Sequence, residues 1–155
     1  RATDETMAVG SSIPDGEQKT GCRWGIMSCG KIASDFATAL RLVDGVVVDG
    51  GGGRHSVVAC AASSSKRSAE FGAKHGVSPE RCYGDYAMLA ADPDVDIVYV
   101  ASIHTEHKKH VMMLPESGKH VLCEKPMAVC ARDTKEMVEK AREKGVFMME
   151  GGAWE

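Results

Sequence analysis

From about residue 22 onward, the apolar residues of this 155-residue chain follow two alternating periods. Short apolar or β-branched runs at 23–28, 56–62, 96–101 and 120–124 predict strands, with a short one near 81–83 and a last one at 146–149. Helical spacing fills the gaps. Over 31–43, Ile32, Phe36, Ala39, Leu40 and Val43 share one face. A second helix over 64–75 is stopped by Gly76. Asp85 can cap a short third helix ending before Pro93. A fourth, from Thr105 to about Leu114, ends or kinks at Pro115. A fifth over 131–144 turns Met137, Val138 and Ala141 inward and is closed by Gly145. Strands alternating with helices predict a parallel sheet covered on both faces. Right-handed crossovers then favour a doubly wound α/β domain.

Residues 1–20 lack this periodicity and are rich in Gly, Ser, Thr and acids, which predicts a disordered tail. The ordered domain is expected over 21–150, and four glycines at 50–53 read as a loop.

Composition narrows the class. With 43% hydrophobic and 26% charged residues, the chain reads as soluble and globular. A formal charge of −3 gives no reason to expect nucleic acid or an anionic membrane as partner. No apolar stretch reaches the length of a membrane span, and no secretory signal is visible. The six cysteines form no Cys-x-x-Cys pair, and Cys60 and Cys123 fall inside strands. Reduced thiols in a cytoplasmic compartment are expected rather than disulfides or a metal site. Cys29 differs because it falls in a glycine turn.

That turn, Ser28-Cys29-Gly30-Lys31-Ile32-Ala33, matches the dinucleotide fingerprint G-x-G-x-x-G/A except at its first position. Gly30 fits the middle glycine, which lets backbone approach a diphosphate. Ala33 fits the small third residue, and the helix start offers free N–H groups to the anion. A small-residue turn of purely structural use remains the alternative. The second strand ends Ser63-Ser64-Ser65-Lys66-Arg67 without the acid that NAD sites usually carry there. Hydroxyls and a guanidinium suit a 2′-phosphate, so Ser63, Ser64 and Arg67 point to NADP, with NAD as the alternative. An Arg67 that merely sits in solvent is the rival reading. After the fourth strand, Ser102, His104 and His107 could line the crevice, whereas His110 reads as a solvent-facing histidine or a helix cap. The three histidines lack a convincing further zinc ligand.

Glu124-Lys125-Pro126 closes the fifth strand, at the sheet edge where open α/β folds bind ligands. A lysine there can orient a hydroxyl and relay its proton, steadied by Glu124 in a turn fixed by Pro126. An exposed strand-end lysine is the plain alternative.

Three motifs occur in this order: Arg23-Trp24-Gly25-Ile26-Met27-Ser28-Cys29-Gly30-Lys31-Ile32-Ala33, Ser102-Ile103-His104-Thr105-Glu106-His107 and Gly118-Lys119-His120-Val121-Leu122-Cys123-Glu124-Lys125-Pro126. Together they resemble the N-terminal domain of the glucose–fructose oxidoreductase/inositol dehydrogenase (Gfo/Idh/MocA) family, in its branch of dihydrodiol and NADP-dependent D-xylose dehydrogenases. The resemblance runs from about Arg23 to Glu150. It implies a nicotinamide Rossmann domain, a following α/β substrate domain, and hydride transfer to or from a sugar, cyclitol or diol. Lys125 matches the family's active-site lysine, His104 a cofactor-loop position and His107 the histidine of that loop. The second domain supplies most of the substrate pocket and usually the oligomer interface, so homo-oligomers are expected of a full-length form. Residues 151–155 begin like the link to that domain and then lose register. The chain is therefore expected to be a fragment, splice form or mis-predicted product. The rival reading is a noncatalytic nucleotide-binding module. A methyltransferase is a weaker rival, opposed by the Glu-Lys-Pro strand end.

Overall fold

The structure is a computed structural model that describes residues 21–43 and 55–152. The expected tail at 1–20, the glycine loop at 50–53 and residues 153–155 lie outside the described residues.

The described strands are β1 (Arg23–Met27), β2 (Ser56–Ala61), β3 (Cys82–Tyr83), β4 (Ile97–Val100), β5 (His120–Cys123) and β6 (Met148–Glu150). The helices are α1 (Lys31–Val43), α2 (Ser65–His75), α3 (Tyr86–Ala91), α4 (His107–Met113) and α5 (Ala131–Glu143). The strands form one sheet in the order β3-β2-β1-β4-β5-β6, and every pairing is parallel. This is the doubly wound nucleotide-binding topology, the Rossmann fold. Its order reverses between β1 and β4, and a crevice opens there at the carboxyl ends of the strands.

Alternation along the strands builds two cores. Met27, Ala61, Val98, Val100, Val121 and Cys123 face one side, against Leu89 of α3, Val111 of α4 and Met137 of α5. Trp24, Ile26, Cys60, Ile97 and Tyr99 face the other, against Ala33, Ala37 and Leu40 of α1 and Phe71 of α2. β4 is buried at every residue, as a central strand covered on both faces must be.

Several elements differ from expectation. The inward face of α1 is Ala33, Ala37 and Leu40, with Phe36 half buried against the same core, so Leu40 and Phe36 lie inward as expected while the rest of the expected face is turned outward. Ile32 and Val43 are half exposed and Ala39 is exposed. The small residues win because they let the helix lie close to the sheet. On α5, Met137 and Ala141 are buried but Val138 is only half buried. The fourth helix begins with a 3-10 turn at His104–Glu106; it ends before Pro115, the first of the two outcomes expected there, and Pro115 opens a further 3-10 turn. The sixth strand starts at Met148 rather than 146. After α5, Gly145 takes a left-handed φ of 64°. The Val146 N–H then bonds to Ala141 O and the Gly145 N–H to Arg142 O, so the helix cap uses residues otherwise free to pair in the sheet. Ser64 and Asp85 cap α2 and α3 with their side chains, on the N–H groups of Arg67 and Ala87.

Candidate functional site

The turn after β1 sits at the topological switch. Ser28, in the place of the fingerprint's first glycine, holds a φ of 77°, the one positive φ of a non-glycine among the described residues. Its N–H bonds to Ala61 O at 2.9 Å, and the Cys29 thiol reaches the same oxygen at 3.4 Å, so the turn is tied to the end of β2. A Cβ built on Gly30 would meet nothing within 4 Å. The space above it is open, which is what close approach of a diphosphate to backbone requires. The first intrahelical bond runs from Ser34 N to Gly30 O, so the N–H groups of Lys31, Ile32 and Ala33 remain directed at that space. Ala33 is fully buried and lets α1 start flush with the sheet.

Beyond the end of β2, Ser63, Ser64 and Arg67 are all exposed. Arg67 Nη1 donates to Ser63 Oγ at 3.4 Å, and Ser64 Oγ is occupied as the cap of α2. Arg67 also borders a cavity of about 290 Å³ between α1 and α2, shared with Gly30, Lys31, Ser34 and Lys74.

The loop after β4 forms the opposite wall. Ser102 is half buried and His104 exposed. His107, expected at the crevice surface, lies beneath it with 1% exposure. Its Nε2 is 2.8 Å from Ser102 O and its Nδ1 3.0 Å from Pro126 O, so one ring spans the β4 loop and the turn after β5. His110 is neither solvent-facing nor a cap. It is buried, its Nδ1 meets Ser102 Oγ at 2.8 Å, and its ring packs edge-on against Tyr86. Burial pushes its pKa down, opposed by the Glu106 carboxylate and aided by the Lys109 charge.

At the end of β5, the Glu124 carboxylate accepts the Tyr99 hydroxyl on one oxygen and the Lys125 N–H on the other, the latter at 3.1 Å. Burial first, and then Glu124, raise the Tyr99 pKa, which keeps the phenol a donor. The Lys125–Pro126 peptide is cis. Lys125 itself is exposed at the crevice. Chain from beyond β5 braces the turn: Glu150 Oε1 accepts the Met127 N–H at 2.6 Å, and Gly151 N donates to Cys123 O at 2.6 Å. The fold therefore gathers the glycine turn, the serine–arginine loop, the histidine loop and Lys125 along one edge of the sheet. Among the described residues, no three His, Cys, Asp or Glu side chains gather as a metal site, and no helix is long and apolar enough to cross a membrane.

Residues 22–151 match the family model of the Gfo/Idh/MocA oxidoreductases, described as an oxidoreductase family with an NAD-binding Rossmann fold. The chain belongs to this family. Among Gfo/Idh/MocA relatives, trans-1,2-dihydrobenzene-1,2-diol dehydrogenase of Bos taurus is 45% identical over 128 residues, covering 83% of this chain and 36% of the relative. The enzyme of that name from Xenopus tropicalis is 41% identical over the same share. The chain thus spans about a third of the length of these relatives. An NAD binding oxidoreductase from Klebsiella pneumoniae superimposes with a TM-score of 0.77 at 32% identity, over 85% of this chain and 34% of that one. A 3-ketoreductase from Actinomadura kijaniata, solved with NADP, gives 0.72 at 28% identity, over 84% and 38%. The family thus establishes an NAD(P)-binding domain.

Some residues of the site escape the motif reading. Tyr99 is one, although a hydroxyl inside an otherwise apolar buried strand signals that a partner must exist. Lys74 is another. It lies seven residues from Arg67 on α2, and two helical turns bring it back to the same face.

Proposed function

We propose that this chain is the cofactor-binding part of an NADP-preferring oxidoreductase that moves a hydride between the nicotinamide and a hydroxyl-bearing carbon of a sugar or trans-dihydrodiol. D-xylose and benzene dihydrodiols are the representative substrates. The observation that carries this reading is the Lys125 turn, which shares a sheet edge with the Gly30 turn.

The residues fit a dinucleotide. Gly30 and the first N–H groups of α1 would receive the diphosphate. Cys29, Lys31 and Ile32 would flank it, with Ser28 shaping the turn and Ala33 seating the helix. Ser63, Ser64 and Arg67 would meet the 2′-phosphate. Ser102 and His104 would border the nicotinamide, and His107 would hold their loop from below. When bound, the nicotinamide supplies the hydride acceptor or donor at its C4 carbon. Lys125 Nζ would orient the substrate hydroxyl and relay its proton. Glu124 would fix the Lys125 backbone. The NADP-bound relative and the absence of an acid after β2 both support the choice of cofactor. In the longer protein, residues 21–150 would serve as the cofactor domain, leading into a substrate domain that also mediates homo-oligomer contacts. Six free thiols agree with a cytoplasmic setting.

Titration of the 155-residue chain with NADPH tests this. Gly30→Val fills the open space and should weaken binding at least about tenfold, the scale of losing one charge-assisted hydrogen bond. Lys125→Ala should leave binding nearly unchanged. A Gly30→Val chain with unaltered NADPH affinity would overturn the placement.

A further inference from the structure

The groove between α1 and α2 holds a cation that none of the motifs assigns. Arg67 and Lys74 face it from α2, and Lys31 and Ser34 from the first turns of α1. Lys31 is spoken for by Asp35, at 2.7 Å. Lys74 is not. Its Nζ donates to Ser34 Oγ at 2.7 Å, and among the described residues it makes no ion pair with a carboxylate. An ammonium only donates, so Ser34 Oγ accepts from Lys74 and its own hydrogen is left for His75 Nε2, 2.9 Å away. His75 suits that role. Burial, and then the charges of Lys74 and Arg41, push its pKa down and keep a ring nitrogen able to accept. The side chain is buried and its ring is held against Phe71 at 4.4 Å between centroids. The relay from His75 through Ser34 to Lys74 therefore fixes a flexible lysine at one place over the groove.

We infer that Lys74, oriented by Ser34 and His75, is a second cation for the cofactor's 2′-phosphate, meeting it from the same face of α2 as Arg67 and so helping to set NADP over NAD. This rests on the cofactor reading above. A dianionic phosphate monoester has three acceptor oxygens, more than one guanidinium can satisfy, and a cavity of about 290 Å³ is ample for it. Glu70 also borders the groove and is the one acid lining it among the described residues. It disfavours a bound anion, which makes the fixed position of Lys74 matter more. Held by a neutral hydroxyl rather than a carboxylate, the ammonium keeps its charge uncompensated for the ligand.

The test is calorimetric titration of the 155-residue chain with NADP⁺ and, separately, NAD⁺. Lys74→Met should weaken NADP⁺ about tenfold, the loss of one charge-assisted contact, and leave NAD⁺ unchanged. Lys74→Arg should recover most of the loss. Ser34→Ala keeps the charge but frees it, and should weaken NADP⁺ by a smaller factor with NAD⁺ again unchanged. Circular dichroism and the thermal midpoint check the fold of each variant. If Lys74→Met does not fold, Ser34→Ala and Lys74→Gln carry the same comparison. Equal weakening of both nucleotides, or no weakening of either, overturns the inference while the cofactor reading stands. A wild-type chain that binds NAD⁺ as tightly as NADP⁺ overturns both the inference and the NADP preference, and leaves the dinucleotide placement standing. A wild-type chain that binds neither nucleotide overturns the inference and the placement together.

Discussion

The hydroxyl of Tyr99, inside β4, donates to the carboxylate of Glu124, just past the end of β5. The other carboxylate oxygen takes the N–H of Lys125. A buried residue in the middle of the sheet is thereby linked to the backbone of the lysine at the crevice. The Tyr99 ring is itself held, stacked on Phe36 of α1 with centroids 4.0 Å apart. Tyr99→Phe keeps the ring and removes the donor, leaving a half-buried carboxylate oxygen without it. Stability should fall by about 1–3 kcal/mol, read from urea unfolding. Amide exchange at Lys125 should quicken as the turn loosens. A stability loss with unchanged Lys125 exchange would mean that the tyrosine does not act through Glu124.

Ser28 carries the departure from the dinucleotide fingerprint, and the backbone there keeps the shape that a glycine would adopt. Its φ of 77° lies in the left-handed region, where a Cβ crowds the following carbonyl. Ser28→Gly relieves that strain while adding freedom to the unfolded chain, and the two effects partly offset. The net expectation is a stabilisation of about 0.5–1 kcal/mol, measured as a rise in thermal midpoint. NADPH binding should be unchanged or tighter, since the turn conformation is the same. Destabilisation would show that the serine side chain supplies a contact that outweighs the strain.

The sheet was legible because its signals are local and strong. β-Branched runs such as Ile97-Val98-Tyr99-Val100 and helices stopped by Gly76 and Gly145 leave little choice of element. The turns at the carboxyl ends of β1, β4 and β5 were legible for the same reason: each is a contiguous motif at a strand end. What the pattern could not supply was which side chains meet across elements. His110 reads as a surface histidine on a helix until Ser102 and Tyr86 close over it. No motif singles out Lys74, whose Nζ meets Ser34 of another helix. On α1, Leu40 and Phe36 face the core as their size predicts, but Ile32, Ala39 and Val43 do not, because close approach to the sheet favours Ala33 and Ala37. The final strand slipped because Gly145 and Val146 close the helix cap before pairing can begin.

His107 joins the two loops that flank the crevice, through Ser102 O and Pro126 O. Both acceptors are backbone carbonyls, and the ring is 1% exposed, so water cannot readily replace it. His107→Ala would leave a cavity and remove the ring N–H that one of these carbonyls accepts. The expected loss is about 2–4 kcal/mol of stability. The loops should also part, weakening NADPH binding at its nicotinamide end. His107→Gln can reach one carbonyl and should recover part of each loss. If alanine and glutamine behave alike in both unfolding and binding titrations, bridging is not the residue's role.

Acid should destabilise the chain through two kinds of group. His75 and His110 have pKa values held below the ordinary 6.5, chiefly by burial. A base with a depressed folded pKa takes up its proton more readily when unfolded, so protonation favours unfolding. Their contribution is intact above about 6.5, the unfolded value, and is lost as the pH falls from there through the folded values. For His75 the proton would also end its acceptance from Ser34. The second kind is a carboxylate. Hydrogen bonds from Lys140 and Lys144 hold the Glu116 carboxyl down at about 2, against an ordinary 4.5. Those two ion pairs pin the turn before β5 to α5, and their contribution is present above about 4.5 and is lost as the pH falls toward 2. Glu116 is half exposed, so salt should shrink this second step. Thermal midpoints measured from pH 8 down to 3 should show the first decline below about 6.5. His110→Gln should flatten that decline and leave the Glu116 window untouched. A midpoint constant between pH 7 and 5 in the wild-type chain would refute the histidine assignment.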